Sequence, residues 1–379
     1  MKRITMMPNA RSTLSLVATV ALFGTAACGS GDGSSGNAGA ATKPGTATAA
    51  NACGISSPFA GDENCIPAPA ESEGFQLHIG PDVADYANPD PMWVMQPGQE
   101  ITECYYMNTP NTDAIYYFEQ QYRMRPGSHH MIIQLDNSNA PDGWGPCEGS
   151  ILGAIGGTQH QVEDFPPNGV VAPEDQGLAR ELQPATRMSI QLHFYNSTSA
   201  PTLREAWVNF LYKDKADVTQ TIGELGGFAP VNVPPHTSAT TGATCDEKDS
   251  FPPAGATGER VVALFGHVHA HNTRFVVYRD KPDGTSDIVY DMYDWEESPT
   301  YIYNSMTNNP APDPTAKTTG AYTGDLVLNP GEKLRFQCDI TNTLNTTLVP
   351  TNAVFTGEMC DLFGTVVGAG FPCFSIAGQ

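Results

Sequence analysis

Positive charge is scarce in this chain: 19 Lys and Arg stand against 41 Asp and Glu, a formal net charge of -22. That balance repels a phosphate backbone, which excludes nucleic acid as a partner. Long helical periodicity is nearly missing, and no internal repeat recurs at a fixed period. None of the cysteines forms a C-x-x-C pair, which argues against a zinc knuckle or a thioredoxin-like centre. Nor is there a nucleophile elbow, a P-loop, a dinucleotide-binding fingerprint or an H-E-x-x-H motif. Beyond residue 28 no apolar run is long enough to span a membrane.

What is present points to strands. The chain holds 31 Pro and 37 Gly, with Val, Thr, Tyr and Phe gathered in short runs between turn residues. Extended segments are predicted at Phe75-Ile79, Ile101-Tyr106, Ala114-Tyr122, His130-Leu135, Arg187-Tyr195 and Ala206-Tyr212. After a polar break at Lys213-Asp214-Lys215 the same style resumes in Arg260-His271, Thr273-Tyr278, Glu332-Ile340 and Asn352-Leu362. A chain of 379 residues can bury two cores. The expectation is an all-β protein of two tandem β-sandwich domains, residues 75–216 and 217–379.

The first 27 residues carry Lys2, Arg3 and Arg11, then the apolar run Leu14 to Phe23, then small residues, the pattern of an export signal. Thr25-Ala26-Ala27-Cys28-Gly29 resembles a bacterial lipoprotein signal, with Thr25 where Leu is usual. Cys28 would then be lipidated and would be the only membrane attachment of a cell-envelope lipoprotein; without lipidation the chain would be secreted. Gly, Ser, Ala and Thr to about Asn51 read as a tether, and residues up to 74 as a flexible, Pro-rich leader with one local clip, Cys53 to Cys65. Apart from Cys28, eight cysteines remain, an even number that in an exported chain implies disulfides worth about 3 kcal/mol each. Spacing alone does not decide their pairing.

Chemistry concentrates in four short segments. In Arg260-His271 an extended conformation puts His267, His269 and His271 on one face, where a single ion can take adjacent imidazoles; the alternative is a surface strand with solvated histidines. His129-His130-Met131 needs a backbone bend if both rings are to reach one ion, and Gly127-Ser128 supplies one. Gln191 and His193 share a face of their strand, although a lone strand histidine is more often a core or surface group. Met359, among Val354, Phe355 and Leu362, would ordinarily be core filling. Five imidazoles and a thioether together form a copper set, because neutral sulfur suits Cu(I) and has little use at zinc, calcium or magnesium. His78, His160 and His236 have no such neighbours and receive no role.

In order and spacing these segments resemble the type II copper, ascorbate-dependent monooxygenases, the family of peptidylglycine alpha-hydroxylating monooxygenase and dopamine beta-monooxygenase. Family members carry His-His-Met, Gln-x-His-Tyr, His-x-His and Glu-Met-Cys; here stand His129-His130-Met131, Gln191-Leu192-His193-Phe194, His267-Val268-His269 and Glu358-Met359-Cys360. The resemblance covers roughly residues 75 to 377. It implies two sandwiches facing across a solvent cleft, with an electron-transfer copper on His129, His130 and His193 and an oxygen-activating copper on His267, His269 and Met359. It implies a role for Gln191 near the first site, and the disulfides Cys104-Cys147, Cys245-Cys373 and Cys338-Cys360, leaving Cys53-Cys65 as a local pair.

The departures concern substrate. An Arg two residues before His-x-His, and an Asn and a Tyr after the Met-Cys, clamp a peptide carboxylate in the amidating enzyme. Here Phe265, Asp361 and Phe363 occupy those places, so the anion clamp is gone. The expected activity is hydroxylation of a C–H bond of a small organic molecule, apolar or aromatic near Phe265 and Phe363 and with a cation facing Asp361. It would use two coppers, O2, and ascorbate or another one-electron reductant. The alternative is a copper-binding or copper-relay protein of the cell envelope without turnover.

Overall fold

Stable strands need side chains that alternate between a packed face and an outer one, and the sequence does so repeatedly after Gly74. The computed structural model describes residues 52–147, 154–158, 160–245, 258–296, 298–307, 309, 324–368 and 370–375. The export signal, Cys28 and the tether up to residue 51 lie outside the described residues. The fold is all-β: helical structure among the described residues is limited to six 3-10 turns of three residues each. The described strands form sheets of fifteen, five and two strands.

The five-stranded sheet runs in the order Gly143–Gly145, Glu100–Asn108, Arg187–Tyr195, Ser128–Leu135, Ala154–Thr158, all antiparallel. Met131, Ile133, Ile190, Leu192 and Phe194 point from it into a core shared with Phe75, Leu77, Val208 and Phe210 of the opposing layer. Period two then leaves His130, Ile132, Gln191 and His193 on the outer face. The second core lies between Phe275, Val277, Phe336 and Ile340 on one side and Leu225, Leu264, Leu362 and Val366 on the other. The chain passes from one core to the next around the turn Lys215–Asp217.

All described residues nevertheless belong to one compact unit, Thr48–Gln379. Gln220 and Thr221 pair in parallel with Leu178 and Ala179, carrying the large sheet from one core to the other. Phe118, Leu178, Ile222 and Val262 close an apolar seam beside that pairing. Buried Asp175 is held there by Arg260 at 2.6 Å and Asn304 at 2.9 Å.

Four disulfides join Cys53–Cys65, Cys104–Cys147, Cys245–Cys373 and Cys338–Cys360, the pairs set out above. They fit a chain folded in an oxidising compartment, and no described helix is long and apolar enough to cross a membrane. Residues 52–74 depart from the flexible leader that composition predicts. Ile55 and Cys65 are buried with Tyr86, Leu203 and Trp207. The cause is Arg125, fully buried, whose guanidinium needs carboxylates: Glu205 meets it at 2.7 Å and Asp62 of the leader at 2.6 Å.

Candidate metal centre

Neighbouring strand residues point to opposite faces, so His129 and His130 can converge only through an irregularity. The pairing of Ser128–Leu135 with Arg187–Tyr195 slips here: His130 lies opposite His193 while Ser128 lies opposite Phe194, which makes His129 the extra residue of a β-bulge. Gly127 ahead of it has φ 87°, the left-handed region that glycine enters without penalty. Both rings thereby reach the outer face, 5.1 Å apart and each 5.1 Å from His193 between centroids.

On the facing strand, Glu259–Val268, a register slip between Val261 and Ala263 resets the alternation. Leu264 and Val268 face the second core, while Ala263, Phe265 and His267 face outward. Gly266 is the tight point, since a Cβ there would come within 2.7 Å of the Phe275 ring. His269 stands just past the strand end, in a turn closed by the Asn272 N–H on its carbonyl at 3.1 Å. Fully buried Glu358 accepts backbone N–H bonds from His269, from His271 at 3.0 Å and from Met359 at 2.9 Å. One carboxylate thus shapes both the His269 turn and the segment bearing Met359. Burial pushes that carboxyl up to about 7, against the pull of its backbone donors. His271 turns aside and donates to the Phe355 carbonyl at 3.0 Å.

The five imidazoles form one cluster. Ring centroids of His130 and His267 are 4.5 Å apart, those of His267 and His269 5.2 Å, and those of His193 and His269 6.2 Å. No solvent cleft of the kind the resemblance implies separates these histidines: Ile132 and Ala154 of one half pack on Phe363 and Phe265 of the other, which brings the two outer faces into contact. Two groups bring one nitrogen per residue within 4.8 Å of one another, and both mix the halves: His129, His193, His269, and His129, His130, His267.

Burial of the uncharged form dominates the electrostatics. It lowers His130, His267 and His269 well below the usual imidazole range and His129 to about 3, and neighbouring imidazoles add to the effect. These four rings are therefore neutral and ligand-competent at physiological pH. Nε2 of His129, both nitrogens of His130, Nδ1 of His193 and both nitrogens of His269 are buried without a hydrogen-bond partner. Each orphaned polar atom costs about 1–3 kcal/mol unless something binds it. An all-imidazole donor set without carboxylate fits a transition metal and not calcium or magnesium. Imidazole serves copper and zinc alike, so the five rings by themselves do not choose between the two metals. Met359 directly precedes the strand Cys360–Val367, in which Cys360 pairs with Val268, and its N–H is held by Glu358.

The other predicted residues divide. Gln191 shares the outer face with His193, opposite Ile132. Phe265 and Phe363 stack at 5.3 Å and line a cavity of about 50 Å³ between the halves, together with Phe118, Phe165 and the ion pair Arg180–Glu224. Asp361 is not among its lining residues: it pairs with His267 in the ladder and is buried, which holds its carboxyl well above the usual range.

Two contributors, Glu100 and Trp295, escaped the sequence reading, and Glu358 was read there only as part of Glu358-Met359-Cys360, without a role of its own. Glu100 holds His193 Nε2 at 2.9 Å and so leaves Nδ1 as the free donor; lying 93 residues before His193, it carries no local signal. Trp295 packs on His129 at 5.6 Å and on half-exposed Phe355 at 5.8 Å, covering the cluster from solvent. Glu358 adjoins Met359 in sequence, and that adjacency was a usable signal. No protein-family model matches the chain, and a search of curated proteins finds no match.

Proposed function

We propose that this chain is an exported copper-dependent monooxygenase that hydroxylates a C–H bond of a small organic molecule. The observation carrying the reading is the cluster of imidazoles that converges from both halves, with unpartnered buried nitrogens on His129, His130, His193 and His269. His129, His130 and His193 are the donors from one half; His267, His269 and Met359 those from the other. Bound there, copper would supply one-electron chemistry and O2 activation: substrate C–H plus O2, two electrons from ascorbate or a similar reductant and two protons yield substrate C–OH and water.

The protein's own residues orient and exclude. Glu100 fixes the proton of His193 on Nε2, Glu358 shapes the His269 turn, and Trp295 keeps water from His129. Phe265 and Phe363, two residues along their strands from His267 and Asp361, give the neighbouring cavity an apolar wall suited to an aromatic or aliphatic group. A lipid on Cys28 would tether the protein to the cell envelope.

A second reading, copper storage or relay without turnover, is favoured by one feature: His130, His193, His267 and His269 are buried, and Trp295 packs on His129. Metal counting on the copper-loaded protein, followed by X-ray absorption of the reduced form with and without Met359→Ala, tests both. Two coppers per chain and a sulfur signal lost in the variant support the enzyme, as does O2 consumption needing both reductant and substrate. One copper without sulfur, or consumption indifferent to any substrate, leaves the storage reading.

A further inference from the structure

The histidine cluster is assembled from two halves, and one side chain touches the supports of both. Glu100 lies at the start of the strand Glu100–Asn108, where Tyr195 pairs with it. Its Oε1 accepts from His193 Nε2 at 2.9 Å and also from the backbone N–H of Val354, in the other half, at 3.1 Å. Val354 is buried, and its carbonyl accepts from the Ala270 N–H at 3.2 Å. Ala270 follows His269 directly, in the turn that Glu358 holds from the other side.

We propose that Glu100 is a positioning residue that couples the two sets of ligands: through His193 it sets a donor of one half, and through Val354 and Ala270 it sets the His269 turn of the other. The inference rests on the metal-centre reading, although its structural part does not need the metal. A continuous hydrogen-bonded path runs from the His193 ring to the residue beside His269, and Glu100 is its one side-chain carboxylate. With Nε2 engaged by Glu100, the ring nitrogen of His193 that remains for a metal is Nδ1, buried and without a hydrogen-bond partner. The side chain is about a quarter exposed, and the same oxygen, Oε1, makes both bonds.

The test compares wild type, Glu100→Ala and Glu100→Gln. Copper(II) affinity is measured by competition with a chelator, nitrogen hyperfine structure by electron paramagnetic resonance, and amide hydrogen exchange residue by residue in the metal-free protein. Glu100→Ala is expected to lose about 10- to 100-fold in copper(II) affinity, to alter the hyperfine pattern, and to expose the Val354 and Ala270 amides to faster exchange. Glu100→Gln keeps an acceptor oxygen and should recover part of each effect; it also stands in should the alanine variant fail to fold. Affinity within twofold of wild type, or unchanged exchange at Val354 and Ala270, overturns the proposal. Should wild type bind no copper(II), the monooxygenase reading falls, while the exchange data still decide whether Glu100 ties the halves.

Discussion

His130 offers the sharpest test of the centre, because the metal-free protein carries it at a loss. Its side chain is buried and neither ring nitrogen has a partner. Two orphaned atoms at about 1–3 kcal/mol each, less up to about 1.5 kcal/mol for imperfect shape, make His130→Leu stabilising in the metal-free state by roughly 0.5–6 kcal/mol. The variant should melt above wild type in chelator, by less than the roughly 2–4 °C per kcal/mol of chains of about 150–250 residues, because this chain is longer. Copper at a hundredfold excess over its Kd adds about 2.7 kcal/mol to a chain that binds it in the folded state only. Wild type should therefore gain on the variant once loaded, while the variant itself gains little from copper. Paired calorimetric melts in chelator and in copper read both effects. A variant less stable than wild type in chelator, with an undiminished copper shift, would refute the claim that these nitrogens are held for a metal.

Gly266→Ala would press a methyl into the Phe275 ring and is expected to cost about 1–3 kcal/mol; because His267 follows directly, copper affinity should fall with it, read by urea melts and chelator competition. Replacing Cys338 and Cys360 together by Ala opens a 22-residue separation and should cost about 3 kcal/mol. Since Met359 adjoins Cys360, the variant should also lose sulfur scattering at the reduced metal. Glu224 is raised to about 7, chiefly by burial and against the pull of Arg180. An acid raised on folding contributes stability that is full below its unfolded value near 4.5 and is lost as pH rises through about 7. Wild type should therefore weaken relative to Glu224→Gln between pH 5 and pH 7.5, by less than about 1.4 kcal/mol per pH unit because the carboxylate is partly exposed. Urea midpoints at the two pH values check it, and parallel profiles would refute it.

Local pattern carried much of this protein. Alternation of apolar and polar residues is a property of a strand by itself, so the all-β class, the outward face of His267 and the shared face of Gln191 and His193 were legible in the chain. The convergence of His129 with His130 was half legible: Gly127 signalled a bend, but the bulge arises from how two strands pair, and no single segment encodes that slip. The same holds for the reset at Val261 and Ala263, which decides that Leu264 goes inward and Phe265 outward. Tertiary packing alone decided three things: that Arg125 draws residues 52–74 onto the fold, that Phe265 and Phe363 meet Ile132 and close the space between the halves, and that Glu100 reaches both His193 and Val354. Each joins residues far apart in the chain, where the partners are chosen by burial and unpaired charge, forces that act only once the strands are assembled.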